Sequence, residues 1–436
     1  MLLLLLALQA APAGPATLDT VPAADSIPRI TLAEALRRST RFDPDYVRAL
    51  GQIENAEWGR RAAMLAFFVP TVELGLEETK YSQSFFNPAD PANPTSTLVV
   101  GRASANYEVF SLRKFSEPAR TRAELASAEA GELEQRFQAA LETESSYYDV
   151  IVNAELARVA QQRATRAREG LSVARARVAS GAAVQTDSLQ LVLELIRAQV
   201  DSLIQHNALR TAQLELGRRV GASGPVDAVP LDSLPPAKLP LSLAEAMRAA
   251  LDQGPQYRAA VADERSAAAA LRAQRGEYLP TLSIGGVHQR YDTEIFPGAS
   301  NITSVTFTLS YPLWNNGQRE IEATRARVNR DVARTIREDM ERVVRRDVTD
   351  SYDSYETSAA AVELARVAVT VAQQTYRMQE LRYRAGAGTI LDLLDAQLSL
   401  AEAEAGLVRA RNEARLALAR LEANLGRRLF ANKDAQ

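Results

Sequence analysis

The stretch that decides the fold is residues 68–79, Phe68-Val-Pro-Thr-Val-Glu-Leu-Gly-Leu-Glu-Glu-Thr79, where the hydrophobic period of the chain changes. From Thr71 onward, apolar and polar side chains alternate. One face carries Val72, Leu74 and Leu76, and the other carries Thr71, Glu73, Gly75 and Glu77. Alternation with a period of two is typical of a β-strand that has one apolar and one polar face. We therefore predict a strand over about residues 68–80.

The same landmark returns in the second half of the chain as Tyr278-Leu-Pro-Thr-Leu282, an offset of 278 − 68 = 210. Other landmarks recur in the same order: Thr31-Leu-Ala-Glu-Ala-Leu36 as Ser242-Leu-Ala-Glu-Ala-Met247 (242 − 31 = 211), Arg177-Val-Ala-Ser-Gly181 as Arg382-Tyr-Arg-Ala-Gly386 (382 − 177 = 205), and Gly221 as Gly426 (426 − 221 = 205). A period near 200 residues is too long for a solenoid unit. It indicates duplication of a whole structural half.

Three further segments show the strand alternation, which predicts strands at about 98–110, 278–291 and 302–313. Aromatic side chains gather at one boundary of these strands, as they do in the girdle of a membrane barrel. The set is Phe67, Phe68, Tyr107, Tyr278, Tyr311 and Trp314. Roughly ten residues per strand suffice to cross the apolar layer of a bilayer. A soluble half-buried sheet is the alternative, and the aromatic boundary favours the membrane.

Four strands cannot close a barrel around water, since the smallest closed barrels need about eight. Open strand edges are not tolerated in lipid. Several chains must therefore share one barrel, and three chains that contribute twelve strands are the simplest solution.

Long helices fill the rest of each half, and we expect helical hairpins at about 113–221 and 317–426. The partner helix after Gly386 repeats apolar residues every seven positions, at Leu393, Leu400, Leu407, Ala414 and Leu421. Such heptads predict closely packed, supercoiled helices. A filament-like coiled coil would share the heptads but would not account for the strands.

These patterns divide the chain into a first repeat at 30–221, an irregular linker at 222–240 rich in Pro, Gly, Asp and Ser, and a second repeat at 241–428 with a tail at 429–436. Residues 1–16 are predicted to be a signal peptide. No Lys or Arg precedes their apolar run, so either the start is truncated or the signal is atypical. No later segment approaches the roughly 20 apolar residues of a membrane helix.

Composition excludes several function classes. The 51 Lys and Arg residues are scattered among 54 Asp and Glu residues, which leaves no basic stripe and predicts no nucleic-acid partner. The chain has no cysteine, so disulfides and thiol chemistry are excluded. Its two histidines, His206 and His288, have no companions at metal-ligand spacing. We expect no cofactor, no metal and no enzymatic activity.

Two stretches resemble the TolC-type outer-membrane efflux proteins. Tyr311-Pro-Leu-Trp-Asn-Asn-Gly317 resembles the strand-to-helix junction of that family, and residues 382–397, Arg-Tyr-Arg-Ala-Gly-Ala-Gly-Thr-Ile-Leu-Asp-Leu-Leu-Asp-Ala-Gln, resemble its helix-turn-helix tip. The resemblance runs from about Ile30 to Arg428. It implies an α+β membrane protein: a homotrimer with a twelve-stranded β-barrel in the outer membrane that continues as an α-helical coiled-coil barrel in the periplasm.

The resemblance also implies a function and partners. Such channel-tunnels give passive export of drugs, toxic compounds or secreted protein, and they take these substrates from an inner-membrane transporter through a periplasmic adaptor (membrane fusion) protein. The duct itself would contact outer-membrane lipid. The alternative is that this chain is itself a periplasmic coiled-coil adaptor or a structural protein of an envelope complex. Adaptors normally carry one hairpin, whereas this chain has two.

The resemblance places the periplasmic gate at Asp392 and Asp395, which stand three residues apart on one helix face. Threefold symmetry would turn them into carboxylate rings that favour cations and impede passage. A local role is the alternative, because Thr389 three residues before Asp392 forms a capping-box pattern. In the first half, Gln190 stands where Asp395 does in the second (395 − 205 = 190).

The two turns are the expected contact surface for an adaptor. The tip residues are Gly181, Ala182, Thr186, Asp187, Tyr383, Gly386, Ala387, Gly388 and Thr389. Gly181 and Gly386 are expected to adopt positive φ. Thr186 and Asp187 match the first tip of the family, where they could bond to the neighbouring hairpin, and Tyr383 could hydrogen-bond across helices. Some members carry a basic residue where this chain has Gly388, so a closed state held by that ion pair is not expected here.

Overall fold

A computed structural model of the chain describes residues 27–88, 90–231, 238–295, 298 and 300–430. The predicted signal peptide at 1–16 and residues 431–436 of the predicted tail lie outside the described residues.

The first half contains two strands and two long helices together with shorter elements that the sequence analysis did not separate. In chain order these are β1 Arg29–Ile30, α1 Leu32–Phe42, α2 Pro44–Phe68, β2 Thr71–Phe85, β3 Thr95–Phe110, α3 Leu112–Ala179 and α4 Gln185–Arg219. Helix α3 has 68 residues and is therefore about 100 Å long at 1.5 Å per residue.

The second half follows the same order after β4 Asp227–Ala228. Its elements are α5 Leu243–Gln253, α6 Pro255–Gln274, a 3₁₀ turn at Arg275–Tyr278, β5 Thr281–Asp292, β6 Ser300–Ser310, α7 Gln318–Arg384 and α8 Ile390–Leu425. Residues 31 and 242, the repeat landmarks, cap the first helix of each half. Thr31 accepts a hydrogen bond from the Glu34 amide, and Ser242 forms a full capping box with Glu245.

Prolines explain why two strands begin later than the alternation predicts. The strand expected from about 68 begins at Thr71, and the strand expected from about 278 begins at Thr281. Pro70 and Pro280 directly precede these starts, and a residue before proline is disfavoured in the helical region. Helix α2 and the 3₁₀ turn therefore hold Phe68 and Tyr278, and each chain segment turns extended at the intervening residue.

The four long strands form one antiparallel sheet in the order β2-β3-β5-β6. Val72 pairs with Ala105, Ala105 with Gly286, and Gly286 with Val305, so the register carries one row across all four strands. Strands β2 and β6 are the two edges of this sheet. Each edge is a row of backbone groups without a strand partner in the single chain.

A second, small sheet corrects the prediction that residues 222–240 are irregular throughout. Within that linker, β4 pairs in parallel with β1, and Asp227 N donates to Pro28 O at 2.9 Å. A two-residue strand is too short to produce a hydrophobic period, which is why the sequence pattern did not show it. The pair ties the linker to the start of the first repeat.

The long helices pack as hairpins, with buried apolar clusters along their length. Helix α3 packs on α4 and α7 on α8, while α3 also packs on α8, so the order across one chain is α4, α3, α8, α7. The core under the small sheet contains Tyr147, Tyr148, Val150, Leu216 and Val226, all buried. No helix of the described residues is both long and apolar enough to span a membrane.

Candidate gate and channel surfaces

The turn of the second hairpin is built by a glycine and a capping box. Helix α7 ends at Arg384, Gly386 has φ of 78°, and Ala387 N donates to Arg382 O at 2.8 Å. Helix α8 then begins with Thr389 as its N-cap. A positive φ lets the chain reverse within four residues, because glycine has no Cβ to clash with the following carbonyl.

The two candidate gate acids differ in their surroundings. The Asp392 carboxylate accepts from Thr389 N at 3.2 Å, and Thr389 Oγ1 accepts from Asp392 N at 3.2 Å. These hydrogen bonds with Thr389 hold the pKa of Asp392 below its usual range. Asp395 is exposed and has no hydrogen bond or ion pair within the part of the chain that the structure describes. Asp392 therefore has a local capping role, and Asp395 is the acid without one.

The first turn repeats the backbone of the second but not its cap. Gly181 has φ of 75°, and Ala182 N donates to Arg177 O at 2.8 Å. Val184 is the N-cap of α4 and supplies no side-chain hydrogen bond. It stands where Thr389 stands in the second repeat (389 − 205 = 184). Thr186 is exposed, and its hydroxyl makes no hydrogen bond among the described residues.

Tyr383 connects the two turns of one chain. Its side chain is 2% exposed, and burial, followed by the nearby Asp187 charge, raises the pKa of its phenol. The phenol oxygen has no hydrogen-bond partner in the described chain, so the predicted bond across helices is not present within one chain. The Arg177 guanidinium lies 4.6 Å from the centre of the Tyr383 ring. From the sequence, Arg177 is recognisable only as a repeat landmark, because this contact joins residues 206 positions apart (383 − 177 = 206).

Gly388 is closely packed in the second turn. A Cβ at Gly388 would lie 3.1 Å from the Arg382 Cβ and 3.2 Å from the Tyr383 amide nitrogen. Its own amide donates to Arg382 O at 3.1 Å. A side chain at this position would require its neighbours to shift. Close packing within the turn therefore explains why residue 388 is glycine.

The sheet has one face dominated by exposed apolar side chains. Val72, Leu74 and Leu76 of β2 are 60–80% exposed, as are Val305, Phe307 and Leu309 of β6 at 64–73%. The opposite face carries polar rows, such as Glu73 beside Ser104 and Thr71 beside Asn106. Polar pairs also lie on the apolar face: His288 Nδ1 is 2.8 Å from Thr303 Oγ1, and Arg290 pairs with Asn301 in the register. The register of the strands thus gives the sheet one largely apolar and one polar face, as predicted.

The predicted aromatic girdle separates into exposed and packed members. Phe68, Tyr311 and Trp314 are 54–73% exposed. Phe67 and Tyr107 instead pack on the chain, since the Tyr107 hydroxyl donates to Phe67 O at 2.8 Å. The last member is Tyr278, 37% exposed, whose ring lies 4.3 Å from the Arg319 guanidinium carbon.

Two apolar stripes on the long helices are left uncovered by the rest of the described chain. The stripe on α4 is Leu189, Ile196 and Leu203, and the stripe on α7 is Leu364, Val371 and Met378. All six side chains are 51–73% exposed. Both stripes have a spacing of seven, which is the spacing of a coiled-coil seam.

The repeat shows what such stripes pack against. The counterparts of Ile196 and Leu203 in α8 are Ala401 and Val408 (196 + 205 = 401; 203 + 205 = 408), which are 8% and 6% exposed. The α3 counterpart of Leu364 is Val159 (364 − 205 = 159), which is 9% exposed. Helices α3 and α8 pack on each other within the chain. The same faces of α7 and α4 are exposed in the single chain.

The two stripes also lie at matching distances from the turns. Leu189 is 189 − 181 = 8 residues after Gly181, and Met378 is 386 − 378 = 8 residues before Gly386. Leu203 and Leu364 are each 22 residues from their glycine (203 − 181; 386 − 364). Antiparallel helices with level turns therefore bring the stripes into register.

Metal binding is not indicated by the described residues, among which no group of three or more His, Cys, Asp or Glu side chains could hold an ion.

A sheet with two open edges, an apolar outer face and two hairpins with unpartnered seams defines the class of a trimeric barrel-and-tunnel channel. The comparisons with known proteins agree. The family model for outer membrane efflux proteins matches residues 246–427. The second repeat is therefore an outer membrane efflux protein domain, which confirms the predicted resemblance of this chain to the TolC-type efflux proteins.

The alignments with named relatives extend over both repeats. Protein CyaE of Bordetella pertussis is 26% identical over 406 residues, which cover 89% of this chain and 82% of that protein. Pyoverdine export outer membrane protein OpmQ of Pseudomonas putida is 25% identical over 401 residues, which cover 83% and 78%. Both alignments reach well beyond the segment that the family model matches.

Solved structures share the fold. The CmeC outer membrane channel of Campylobacter jejuni aligns with a TM-score of 0.77 at 13% identity, over 91% of this chain and 85% of that one. The fold is thus an α+β membrane protein in which four strands per chain build a twelve-stranded trimeric barrel in the outer membrane. The helical hairpins continue it as a tunnel in the periplasm.

Proposed function

We propose that the trimer is a passive export duct. The exposed apolar stripes on α4 and α7 are the observation that supports this proposal. Joining α4 of one copy to α7 of the next, three times, closes a ring of six hairpins. The same closure pairs each free β6 edge with a free β2 edge, so the barrel loses its open edges. A closed ring of this kind encloses water from the turns to the outer surface.

The substrates and partners of the proposed duct are inferred from the names of its relatives. One relative is named for pyoverdine export, which supports export of small molecules or secreted protein here. We propose that an inner-membrane transporter supplies the substrate and that a periplasmic adaptor contacts the turns. Gly181, Ala182, Gly386 and Ala387 are exposed and lack bulky side chains, so an adaptor could approach the backbone closely.

The proposed gate is Asp395, with Asp392 as a secondary contributor. A carboxylate ring at the narrow end of the tunnel would attract cations and resist anions. Asp395 has no hydrogen bond or ion pair among the described residues, so its carboxyl group is available for this role. The Oδ2 atom of Asp392, by contrast, accepts from Thr389 N in the cap of α8.

Conductance of the purified trimer in planar lipid bilayers tests both the duct and the gate. We expect Asp395→Ala to raise the conductance and to lower the cation preference, because three negative charges leave the entrance. Gln190→Ala is the matched control, since Gln190 is the counterpart of Asp395 on the first hairpin and is also exposed. An unchanged conductance and cation preference would remove Asp395 from the gate. A purified trimer that never conducts would overturn the duct.

A further inference from the structure

A cavity of about 760 Å³ lies in the channel wall where helices α2 and α3 meet the strands. Helix α2 forms its floor with Gly59, Ala62, Ala63 and Ala66, which share one helix face and carry no side chain larger than a methyl group. A Cβ placed on Gly59 would meet no atom within 4 Å. The floor is therefore apolar, and the space above it is open.

The cavity faces the lumen of the barrel. Its upper edge is lined by four strand residues, Thr71, Asn106, Glu108 and Ser283. Thr71 pairs with Asn106 and Glu108 pairs with Ser283, and all four lie on the polar face of the sheet. Lipid contacts the apolar face of an outer-membrane barrel, so the polar face borders the water-filled lumen. A molecule that passes through the channel can therefore enter the cavity.

Two cations in the cavity wall have no carboxylate partner. Arg113 makes no hydrogen bond or ion pair among the described residues. Lys114 Nζ donates to the backbone oxygen of Glu108 and lies 3.9 Å from the centre of the Tyr107 ring, but it forms no ion pair with a described residue. Both cations stand in the first turn of α3, which has no acidic residue and where the helix dipole disfavours positive charge. Helix stability therefore does not explain them.

The acids of the cavity already have partners. Arg120 pairs with both Glu117 and Glu124. The carboxylate of Glu108 accepts a hydrogen bond from Ser111 Oγ. The positive charge in the first turn of α3 is therefore left without a paired anion.

The second repeat has a related cavity of about 590 Å³ over α6, and its floor is more polar. Gln274 and Glu277 stand there in place of Ala63 and Ala66 (63 + 211 = 274; 66 + 211 = 277). A carboxylate in the floor disfavours both an apolar body and an anion. The second cavity is therefore a natural contrast to the first.

The cations of the two cavities differ as well. Arg113 and Lys114 correspond to Gln318 and Arg319 (113 + 205 = 318; 114 + 205 = 319). Arg319 has a carboxylate partner, with 3.0 Å between its Nη2 and Glu320 Oε1. An apolar floor and unpaired cations are thus combined in the cavity of the first repeat and not in that of the second.

We propose that the cavity of the first repeat binds an amphipathic organic anion on its way out. The acidic head contacts Arg113 and Lys114, and the apolar body lies on the floor around Gly59, where small side chains leave room for it. This inference rests on the proposed export function and names the substrate class of the duct. Asp395 lies at the other end of the long helices, about 100 Å away, so a bound anion sits beyond the acidic gate.

Equilibrium dialysis of trimers in phosphatidylcholine nanodiscs tests the charge preference. The probes are naphthalene-1-sulfonate and 1-naphthylmethylammonium, which share an apolar body and differ in the sign of their charge. We expect saturable binding of one sulfonate per chain, and binding of the ammonium probe that is weaker by about tenfold or more. Empty nanodiscs give the background from lipid.

Substitution of the two cations tests the head-group contact. We expect the double variant Arg113→Gln, Lys114→Gln to bind the sulfonate about tenfold more weakly or worse, because its charge-assisted hydrogen bonds are lost. Arg122→Gln is the matched control and should bind as wild type does. Arg122 is an exposed arginine of the same helix, has no ion pair among the described residues and lines neither cavity.

Filling the floor tests the contact with the apolar body. Gly59→Leu places a side chain in open space and raises helix propensity, so we expect it to abolish sulfonate binding without destabilising α2. Gly51→Leu is the control, since Gly51 is also in α2 with no atom within 4 Å of an added Cβ but does not line the cavity. Trimer migration on unheated gels shows that each variant is assembled.

The outcomes separate the cavity from the duct. Equal binding of the two probes, or wild-type affinity in either the double variant or Gly59→Leu, would overturn the cavity site. A similar loss in Arg122→Gln or Gly51→Leu would also overturn it, because the effect would not depend on the cavity. Trimers that conduct but do not bind the sulfonate contradict the site and leave the duct standing, whereas trimers that bind it but never conduct contradict the duct and leave the anion site standing.

Discussion

At the scale of single residues, position in the repeat separates side chains that look alike in sequence. Tyr147 and Tyr352 are counterparts (352 − 147 = 205), and both hydroxyls face the chain entering their repeat. Tyr147 is fully buried and donates to Val229 O at 2.7 Å, with Ile30 O at 3.3 Å. Burial raises the pKa of Tyr147 to about 12, so this hydroxyl keeps its proton. Tyr352 is half-buried; its hydroxyl lies 3.3 Å from Leu241 O and also has a hydrogen bond with the Glu356 carboxylate.

Tyr147→Phe therefore tests the tie between the linker and α3. The change removes a donor from two carbonyls in a buried site, for which we expect a loss of about 1–2 kcal/mol per chain. The measurement is the temperature at which the trimer dissociates. Tyr352→Phe is the control, and it should lower that temperature less, because its hydroxyl is already partly hydrated. Equal shifts for the two variants would contradict a special role for Tyr147.

At the scale of elements, adjacent residues on α4 face different surroundings in the assembled tunnel. Leu203 and Ile204 are both exposed in the single chain, at 72% and 58%. Their counterparts in α8 are Val408, which is buried, and Arg409, which is exposed. The repeat therefore places Leu203 in the seam and Ile204 outside it. Exposure in one chain does not distinguish the two residues.

Leu203→Glu should weaken the trimer, and Ile204→Glu should not. Burying a leucine contributes about 1.5–3 kcal/mol, and a charge without a partner in the seam adds a further cost. We expect Leu203→Glu to run largely as a monomer on size-exclusion chromatography in detergent. Ile204→Glu has the same charge change one residue away and should remain trimeric. Trimeric Leu203→Glu would place the seam elsewhere on α4.

At the scale of the whole molecule, duplication gives each trimer six similar hairpins and two kinds of seam. The seams within chains, between α3 and α8, carry the Arg166–Glu404 ion pair and the Arg177–Tyr383 contact. The seams between chains carry the apolar stripes. Closure of the ring would also pair the edges of the sheet, because β2 and β6 have no further strand partner among the described residues of one chain.

Cross-linking tests the register of the seams between chains. Leu203 and Leu364 lie at the same level from the turns, and a Leu203→Cys, Leu364→Cys double variant has no other cysteine to interfere. We expect mild oxidation to give covalent trimers on heated denaturing gels. The Ile204→Cys, Leu364→Cys pair is the control and should give far less product. A high yield from the control alone would shift the register.

Much of this organisation is determined by the sequence alone. The alternation after Thr71 and the heptads after Gly386 predict the strands and the long hairpins, since side-chain period and element type are coupled locally. The offset of about 205 residues predicts that the architecture occurs twice. The turns at Gly181 and Gly386 were also predictable, because a positive φ favours glycine at those positions.

Only the tertiary structure decided which residues meet across the repeats. Tyr383 is 383 − 177 = 206 residues from Arg177, and no local pattern encodes a contact at that separation. Likewise, the sequence motif of Thr389 and Asp392 is the same whether or not the capping bonds form. The observed capping bonds show that Asp392 has a local partner, whereas Asp395 has none among the described residues. Periodicity records which face of an element is apolar, whereas the partner of that face depends on packing between distant segments.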